Sequence, residues 1–199
     1  MASRLGAIAW LVQPLYLLAE VVTATAVTVP YSFADNTISD LGASTCTTIA
    51  YRFGDVPVCS PWHPVLNIAL VVSGALMIIG ALFVRHLAAR GWARGLWIVA
   101  GLSSIGTGLV PLDRDLDLHV IVSLPALFAM PLALLATGLK LSRGKLAVVG
   151  LVCLAAAVTF VVRAAEPELG GLFERIALWP GYLWLGMAGV IVLRGPRRQ

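Results

Sequence analysis

Charged residues are scarce in this sequence of 199 residues, of which Asp, Glu, Lys and Arg together make up only 12%. A soluble domain carries about 25%. Hydrophobic residues make up 59% of the chain, so the surplus apolar surface is expected to face lipid instead of water. No hydrophilic gap is long enough to hold a soluble domain. The composition therefore predicts a single all-α integral membrane bundle over residues 1–199.

Acidic residues are missing from every region that is rich in basic residues. Ten of the 14 Lys and Arg lie at the N-terminus and in residues 85–94, 140–145 and 194–199, where no Asp or Glu occurs. The other three gaps hold nine of the ten acids. This alternation follows the positive-inside rule. It predicts a multi-pass protein of the cell membrane with both termini cytoplasmic and the acidic gaps on the extracytoplasmic side.

Six apolar runs, each near the roughly 20 residues that cross a bilayer, are predicted to be transmembrane helices. Small residues in the second and third runs are expected to allow close helix packing, and Pro125 and Pro131 are expected to bend the fourth. The long first extracytoplasmic loop, residues 31–63, is expected to contain a short helix or a re-entrant turn. The six spans are predicted at residues 5–29, 64–84, 95–112, 120–139, 146–162 and 176–193.

The chain has only three cysteines. Cys46 and Cys59 share the first extracytoplasmic loop, whereas Cys153 lies inside a span. The oxidising side of the membrane favours a disulfide between Cys46 and Cys59, with two free thiols as the alternative. Cys153 is interpreted as a small apolar core residue.

Recognised catalytic and cofactor-binding motifs are also missing. The sequence contains no GxSxG, P-loop, dinucleotide fingerprint or HExxH pattern. It identifies no cofactor and predicts no metal site, although His63 and His119 are expected at the same membrane face. The basic residues flank spans, where they meet lipid headgroups. We therefore expect membrane lipids as partners, a membrane protein as a further candidate partner, and no nucleic acid.

Glu20 is the one acid well inside a predicted span. A buried acid is costly in a membrane and normally faces the protein interior or a water-filled cavity. Glu20 is therefore either a substrate contact, ion ligand or proton relay, or a hydrogen-bonded group that holds helices together. Both interpretations remain open.

The remaining polar candidates lie near the ends of the spans. Ser39 and Asp40 either cap a short helix or form a nucleophile or ligand pair. Asp113 and His119 precede the fourth span. Asp115 lies one helical turn before His119 and could orient the imidazole, but Asp115 and Asp117 are interpreted as a solvated acidic cap. For Asp113 and His119 the structural and the functional interpretation both stay open.

Two further candidates open the sixth span. Glu174 suits the positive end of a helix, and it is also assigned, with Ser39, Asp40, Asp113 and His119, to the catalytic candidates. Arg175 is expected to neutralise an acid such as Asp40 or Asp113, or to bind a lipid phosphate. His63 is assigned with Arg175 and Glu20 to substrate binding, with a hydrogen-bonding histidine at the membrane interface as the alternative.

Three segments resemble one family of bacterial and archaeal membrane proteins. They are Asn-Thr-Ile-Ser-Asp-Leu-Gly at residues 36–42, Gly-Leu-Val-Pro at 108–111 before Asp113 and His119, and Gly-Leu-Phe-Glu-Arg-Ile at 171–176. The arrangement resembles the family DUF998 over nearly the whole chain. The resemblance implies a six-span bundle and no settled activity.

The segment at residues 36–42 is also similar to an Ile-Ser-Asp-Thr-Gly stretch of eukaryotic Frag/DRAM/Sfk-type six-span proteins, with Leu41 in place of Thr. Some of those proteins are linked to lipid or lipid-anchor remodelling. This more distant resemblance implies a lipid-related role.

Three functional hypotheses follow, and whether the protein is an enzyme stays open among them. The first is lipid binding or modification at the extracytoplasmic leaflet, with Ser39 as nucleophile, Asp40 or His119 as base or ligand, and Arg175 as phosphate anchor. The second is a non-catalytic accessory protein in which the same polar residues lock the bundle. The third is a small transporter that uses Glu20 for proton coupling.

Overall fold

A computed structural model describes residues 2–52, 54–84, 91–163 and 168–195. Parts of two predicted basic regions, residues 85–90 and 196–199, lie outside them. A short 3-10 helix, Ser39–Gly42, and an antiparallel hairpin of strands β1 and β2 follow the first two helices. The elements are α1 Ala2–Leu11, α2 Leu15–Ala24, β1 Thr47–Tyr51, β2 Gly54–Val58, α3 His63–Phe83, α4 Trp92–Leu109, α5 Leu116–Lys140, α6 Gly144–Arg163 and α7 Gly170–Arg194.

The long helices form a ring in which chain neighbours pack side by side and α7 closes against α1. Adjacent helices run antiparallel. For example, Trp10 Nε1 donates to the Met77 carbonyl at 3.1 Å and Gln13 Nε2 to the Ser73 carbonyl at 2.9 Å. The connecting segments therefore alternate between two ends. We call these the hairpin end, which carries β1 and β2, and the terminal end, where α1 begins and α7 ends.

Five helices in the described parts of the chain are long and apolar enough to cross a membrane. The first of them, Ser3–Ala24, joins α1 and α2 through a turn at Pro14. The 18-residue helix α4 is not among the five. The prediction of a multi-pass helical membrane protein is thus supported at five candidate spans, while a sixth span and the orientation of the termini stay predictions.

Both features predicted for the first loop, a disulfide and a short helix, occur in the structure. The disulfide between Cys46 and Cys59 is present and joins the two ends of the hairpin. The expected short helix is the 3-10 helix Ser39–Gly42. The hairpin itself was not predicted; it packs on a small apolar cluster that includes Leu112. Cys153 is buried and free, as expected.

Helix α5 contains Pro125 and Pro131, and a side chain of α4 binds its backbone beside Pro125. The Ser103 hydroxyl accepts a hydrogen bond from the Ala126 N–H at 2.9 Å and donates to the Val122 carbonyl. A side-chain group inserted between these two backbone groups interrupts the helical ladder, a recognised cause of kinks. A neighbouring helix thereby satisfies the backbone groups around the proline.

Helices α1 and α3 approach closely because Gly80 faces the fully buried indole of Trp10. A β-carbon at Gly80 would overlap the indole ring. Since Trp10 is also anchored to the Met77 carbonyl, the ring has little freedom to move. Small residues of the second span therefore serve packing, as predicted.

Replacing Gly80 with alanine is expected to lower the melting temperature of the detergent-solubilised protein. The added methyl group overpacks the α1–α3 contact, which typically costs about 1–3 kcal/mol. Gly95→Ala on α4 is the control, because no atom lies near a β-carbon there, and alanine favours the helix. Equal melting temperatures for the two variants would contradict the packing role of Gly80.

Candidate functional site

Ser39 and His119 form a hydrogen-bonded pair at the hairpin end. The Ser39 Oγ lies 2.8 Å from His119 Nε2, and His119 Nδ1 lies 2.6 Å from the Val110 carbonyl oxygen. Because a carbonyl only accepts, Nδ1 carries the proton and Nε2 is the acceptor of the Ser39 hydroxyl. The imidazole is thus oriented to remove a proton from Ser39, an arrangement that activates serine nucleophiles.

The start of α5 places His119 in this position. Asp115 caps the helix by accepting a hydrogen bond from the Leu118 N–H at 2.9 Å, and His119 follows on the buried side of the first turn. Asp115 is exposed, as expected of a solvated cap, and the alternative in which it orients the imidazole does not occur. The Asp115 carboxylate accepts a hydrogen bond from the helix backbone, and the Val110 carbonyl orients the imidazole instead.

Asp40 fixes the segment that precedes Ser39. Its Oδ2 accepts from the Thr37 N–H at 2.8 Å, and its Oδ1 accepts from the Tyr51 hydroxyl at 2.6 Å. Burial raises the pKa of Asp40, although the bonds from Tyr51 and Thr37 oppose that rise. The pKa of Tyr51 is also raised, first by burial and then by the nearby Asp40 charge. Asp40 therefore acts on the loop and the hairpin, and it makes no hydrogen bond to His119.

Glu174 holds the same segment from the opposite side. Its Oε2 accepts from the Ile38 N–H at 2.6 Å, and the residue is buried on the first turns of α7. Two carboxylates, Glu174 and Asp40, thus bind the backbone N–H groups of the two residues before Ser39. Their predicted role as catalytic groups stays a prediction; their contacts are those of positioning residues.

Asp113 and His63 lie apart from this arrangement. Asp113 accepts hydrogen bonds from the Ser44 N–H at 2.8 Å and from the Thr45 hydroxyl at 2.8 Å. Burial works to raise the pKa of Asp113, but these bonds outweigh burial and lower it. His63 is half-buried at the start of α3, and its Nδ1 has no hydrogen-bond partner. Neither residue contributes a hydrogen bond to Ser39 or His119.

A buried ion pair lies deeper in the bundle. Arg175 Nε donates to Glu20 Oε1 at 2.8 Å, and Trp179 Nε1 donates to the other Glu20 oxygen at 2.9 Å. Arg175 Nη1 donates to the Phe33 carbonyl at 2.7 Å and to the Asn36 carbonyl at 2.8 Å. Arg175 therefore pairs with Glu20 and with neither of the acids expected from the sequence.

The guanidinium of Arg175 also binds the Tyr31 hydroxyl at 2.6 Å and the Gly171 carbonyl at 3.0 Å. Its centre lies 5.0 Å from the ring centroid of Phe33, within the range of a cation–π contact. These contacts favour the interpretation of Glu20 as a group that holds helices together. A role of Glu20, Arg175 or His63 in substrate binding stays a prediction.

A cavity of about 790 Å³ adjoins the Ser39–His119 pair. Glu174 and Thr37 also line this hairpin end of the cavity, whereas the stacked rings of Tyr16 and Tyr182 line its inner end. Apolar side chains dominate the wall between these ends. They include Leu112, Leu116, Val120, Leu124, Leu127, Phe160 and Leu178.

The cavity reaches the lateral surface of the bundle between α5 and α6. Ile121 on α5 and Val161 on α6 both line it, and they are 66% and 39% exposed. Ser39 and His119 therefore face a mostly apolar space whose side wall belongs to the membrane-exposed surface.

Several residues of this site had no signal in the sequence that singled them out. Tyr51 lies on a hairpin strand, Trp179 resembles an interfacial aromatic residue, and Val110 contributes only its carbonyl. The spacing of Asn36 and Thr37 before Asp40 was the one usable signal, because such side chains commonly bind nearby backbone groups. Within the described ranges, no group of three or more His, Cys, Asp or Glu residues could hold a metal ion.

Comparison with known proteins gives a family and no relative of established activity. The sequence model of one family, described as a protein of unknown function (DUF998), matches residues 11–191. The chain belongs to this family, as the resemblance of its three segments indicated. No curated protein and no solved structure matches it.

Glu20→Gln is expected to destabilise the protein strongly, because it leaves the Arg175 charge buried without its partner. Breaking a buried pair typically costs about 3–5 kcal/mol. The loss is to be measured as a lower melting temperature in detergent. Asp55→Asn on the exposed hairpin is the control.

The double variant Glu20→Gln, Arg175→Gln distinguishes the ion pair from general loss of packing. If the pair is responsible, the double variant is less destabilised than the sum of the single variants. Additive losses would show that the two side chains contribute independently.

Proposed function

We propose that this protein is a serine-dependent acyl hydrolase or acyltransferase that acts on lipid esters within the membrane. The observation that carries the proposal is the hydrogen bond between Ser39 and the His119 Nε2 at the wall of an apolar cavity. Nucleophile, base and an orienting third group within hydrogen-bond reach are the requirements for acyl transfer by serine. The Val110 carbonyl supplies the third group.

The reaction begins when the Ser39 Oγ attacks the ester carbonyl carbon and its proton passes to His119 Nε2. The tetrahedral intermediate collapses, the ester C–O bond breaks, and His119 returns that proton to the departing alkoxide. The acyl group is then attached to Ser39. A water molecule or an acceptor alcohol attacks it with its own proton passing through His119, which restores the Ser39 hydroxyl and releases an acid or a new ester.

The membrane arrangement that fits this proposal has six spans, with both termini in the cytoplasm of a bacterial-type cell. Helix α4 completes the set, because it lies in the ring between α3 and α5. Described basic residues such as Arg4, Lys145 and Arg194 belong to the terminal end, as the positive-inside rule requires of a cytoplasmic side. Ser39 then faces the extracytoplasmic leaflet, where the Cys46–Cys59 disulfide is stable.

One observation favours the alternative of a non-catalytic accessory protein with a membrane-protein partner. Asp40, Glu174, Glu20 and Arg175 are all engaged by partners within the bundle, as a structural lock requires. Proton-coupled transport through Glu20 has less support, because Arg175 and Trp179 bind both of its oxygens. The Ser39–His119 pair distinguishes the hydrolase from the lock, since a lock needs no activated hydroxyl.

A fluorescent fluorophosphonate is expected to label the wild-type protein in nanodiscs, and Ser39→Ala is expected to abolish the labelling. His119→Ala is expected to slow the labelling and the hydrolysis of p-nitrophenyl octanoate by about a hundredfold or more, since general-base catalysis contributes about 10²–10⁴-fold. In-gel fluorescence and absorbance measure the two rates.

Ser123→Ala is the matched control. Ser123 lines the same cavity, but its hydroxyl donates to the Val120 carbonyl of its own helix and has no histidine partner. Labelling that persists in Ser39→Ala, or a wild-type protein that is never labelled while it remains folded, would refute the hydrolase and favour the structural lock.

A further inference from the structure

We infer that the substrate is a membrane lipid whose acyl chain enters the cavity sideways, from the hydrocarbon layer, between α5 and α6. The inference rests on the proposed function and specifies its substrate class. The ester of the lipid lies at Ser39, and its acyl chain lies along the bundle between α5 and α7.

The shape of the cavity fits an acyl chain that runs parallel to the helices. From His119 to Leu127 on α5, and from Glu174 to Tyr182 on α7, the wall extends eight residues, or about 12 Å at the helical rise. Leu178 projects into this stretch. The polar groups that bear on chemistry lie at one end of the cavity, so the reacting ester belongs there and the chain belongs in the apolar remainder.

The volume of the cavity agrees with one bound acyl chain. About 790 Å³ lies within the roughly 300–1,000 Å³ that enclose small-molecule ligands. A polar guest of that size would leave many donors and acceptors unpaired against the apolar wall. An alkyl chain leaves none.

Lateral entry follows from the packing of α5 against α6, which is tight near the terminal end and leaves the cavity between them near the hairpin end. Near the terminal end they pack backbone to backbone, with Gly150 against Leu135 and Gly138 against Ala147. Near the hairpin end, Ile121 and Val161 line the cavity and remain exposed, so no neighbouring side chain covers them. The opening thus lies in the part of both spans nearest Ser39.

The interrupted ladder of α5 lies at the inner end of this opening. Ala126, whose N–H is bound by the Ser103 hydroxyl, is itself a lining residue. The hydroxyl and Pro125 together keep this stretch of α5 from forming a regular ladder. The sequence features that bend α5 therefore occur beside the chain-binding wall.

The acyl-chain preference tests the inference. Rates with p-nitrophenyl esters are expected to rise from acetyl through butyryl and octanoyl to dodecanoyl in the wild type, and to fall at palmitoyl, whose extended chain is longer than the cavity wall. Leu178→Trp fills the cavity and is expected to lower the dodecanoyl-to-butyryl ratio of kcat/KM by roughly tenfold or more. Leu127→Ala enlarges the inner end and is expected to shift the preference toward palmitoyl. Val148→Trp, on the exposed face of α6 outside the cavity, is the control.

The route of entry is tested by Ile121→Trp in proteoliposomes of phosphatidylcholine that contain a fluorogenic phosphatidylcholine ester. The variant is expected to lower the ratio of the cleavage rate for the bilayer-embedded lipid to the rate for water-soluble p-nitrophenyl acetate by roughly tenfold or more. An equal loss on both substrates, or on neither, would overturn lateral entry.

Different results would refute the acyl-chain site and the hydrolase activity. If fluorophosphonate labels Ser39 but the ester profile is the same in wild type, Leu178→Trp and Leu127→Ala, or favours acetyl, the chain site is refuted and the hydrolase stands. If Ser39 in folded wild-type protein is not labelled, the hydrolase is refuted, and the substrate class with it.

Discussion

The buried ion pair of Glu20 and Arg175 is the interaction on which the hairpin half of the molecule depends. An ionised group within an apolar bundle needs a partner and needs its remaining hydrogen-bonding positions filled. Arg175 meets this requirement by binding Glu20 of α2, the Tyr31 hydroxyl, and carbonyls at Phe33 and Asn36. The chain between α2 and the 3-10 helix is thus wrapped around one guanidinium. The position of Ser39, three residues beyond Asn36, follows from this wrapping.

The same constraint explains why the acids near Ser39 position the backbone. A segment without regular secondary structure must still pair its N–H groups when it is buried. Asp40 and Glu174 bind the N–H groups of Thr37 and Ile38, and are therefore committed to the loop. The Ser39 hydroxyl is left to His119, whose other nitrogen is fixed by the Val110 carbonyl. Removing either carboxylate would therefore displace Ser39, because neither carboxylate binds the Ser39 hydroxyl or the imidazole directly.

The sequence predicted the parts of this structure that depend on composition and spacing. Apolar runs marked the helices, loop cysteines marked the disulfide, and the polar segment with His119 included both members of the hydrogen-bonded pair. The ion pair of Glu20 and Arg175 could not be predicted, because the two residues are 155 positions apart and no sequence periodicity links them. The partner of His119 was also missed. A backbone carbonyl has no side-chain signature, and the one partner that the sequence suggested for the imidazole was the Asp115 carboxylate.

The choice of a carbonyl as partner for His119 has a physical consequence for a site within a membrane. A carboxylate beside the imidazole would add a charge that must be desolvated next to an apolar cavity. A carbonyl fixes the same tautomer and ring orientation without adding that charge. It stabilises an imidazolium less than a carboxylate does, so the barrier to proton removal from Ser39 is higher. For the proposed acyl transfer, the carbonyl therefore gives slower proton transfer than a carboxylate would, and it avoids the burial of one more charge beside the apolar cavity.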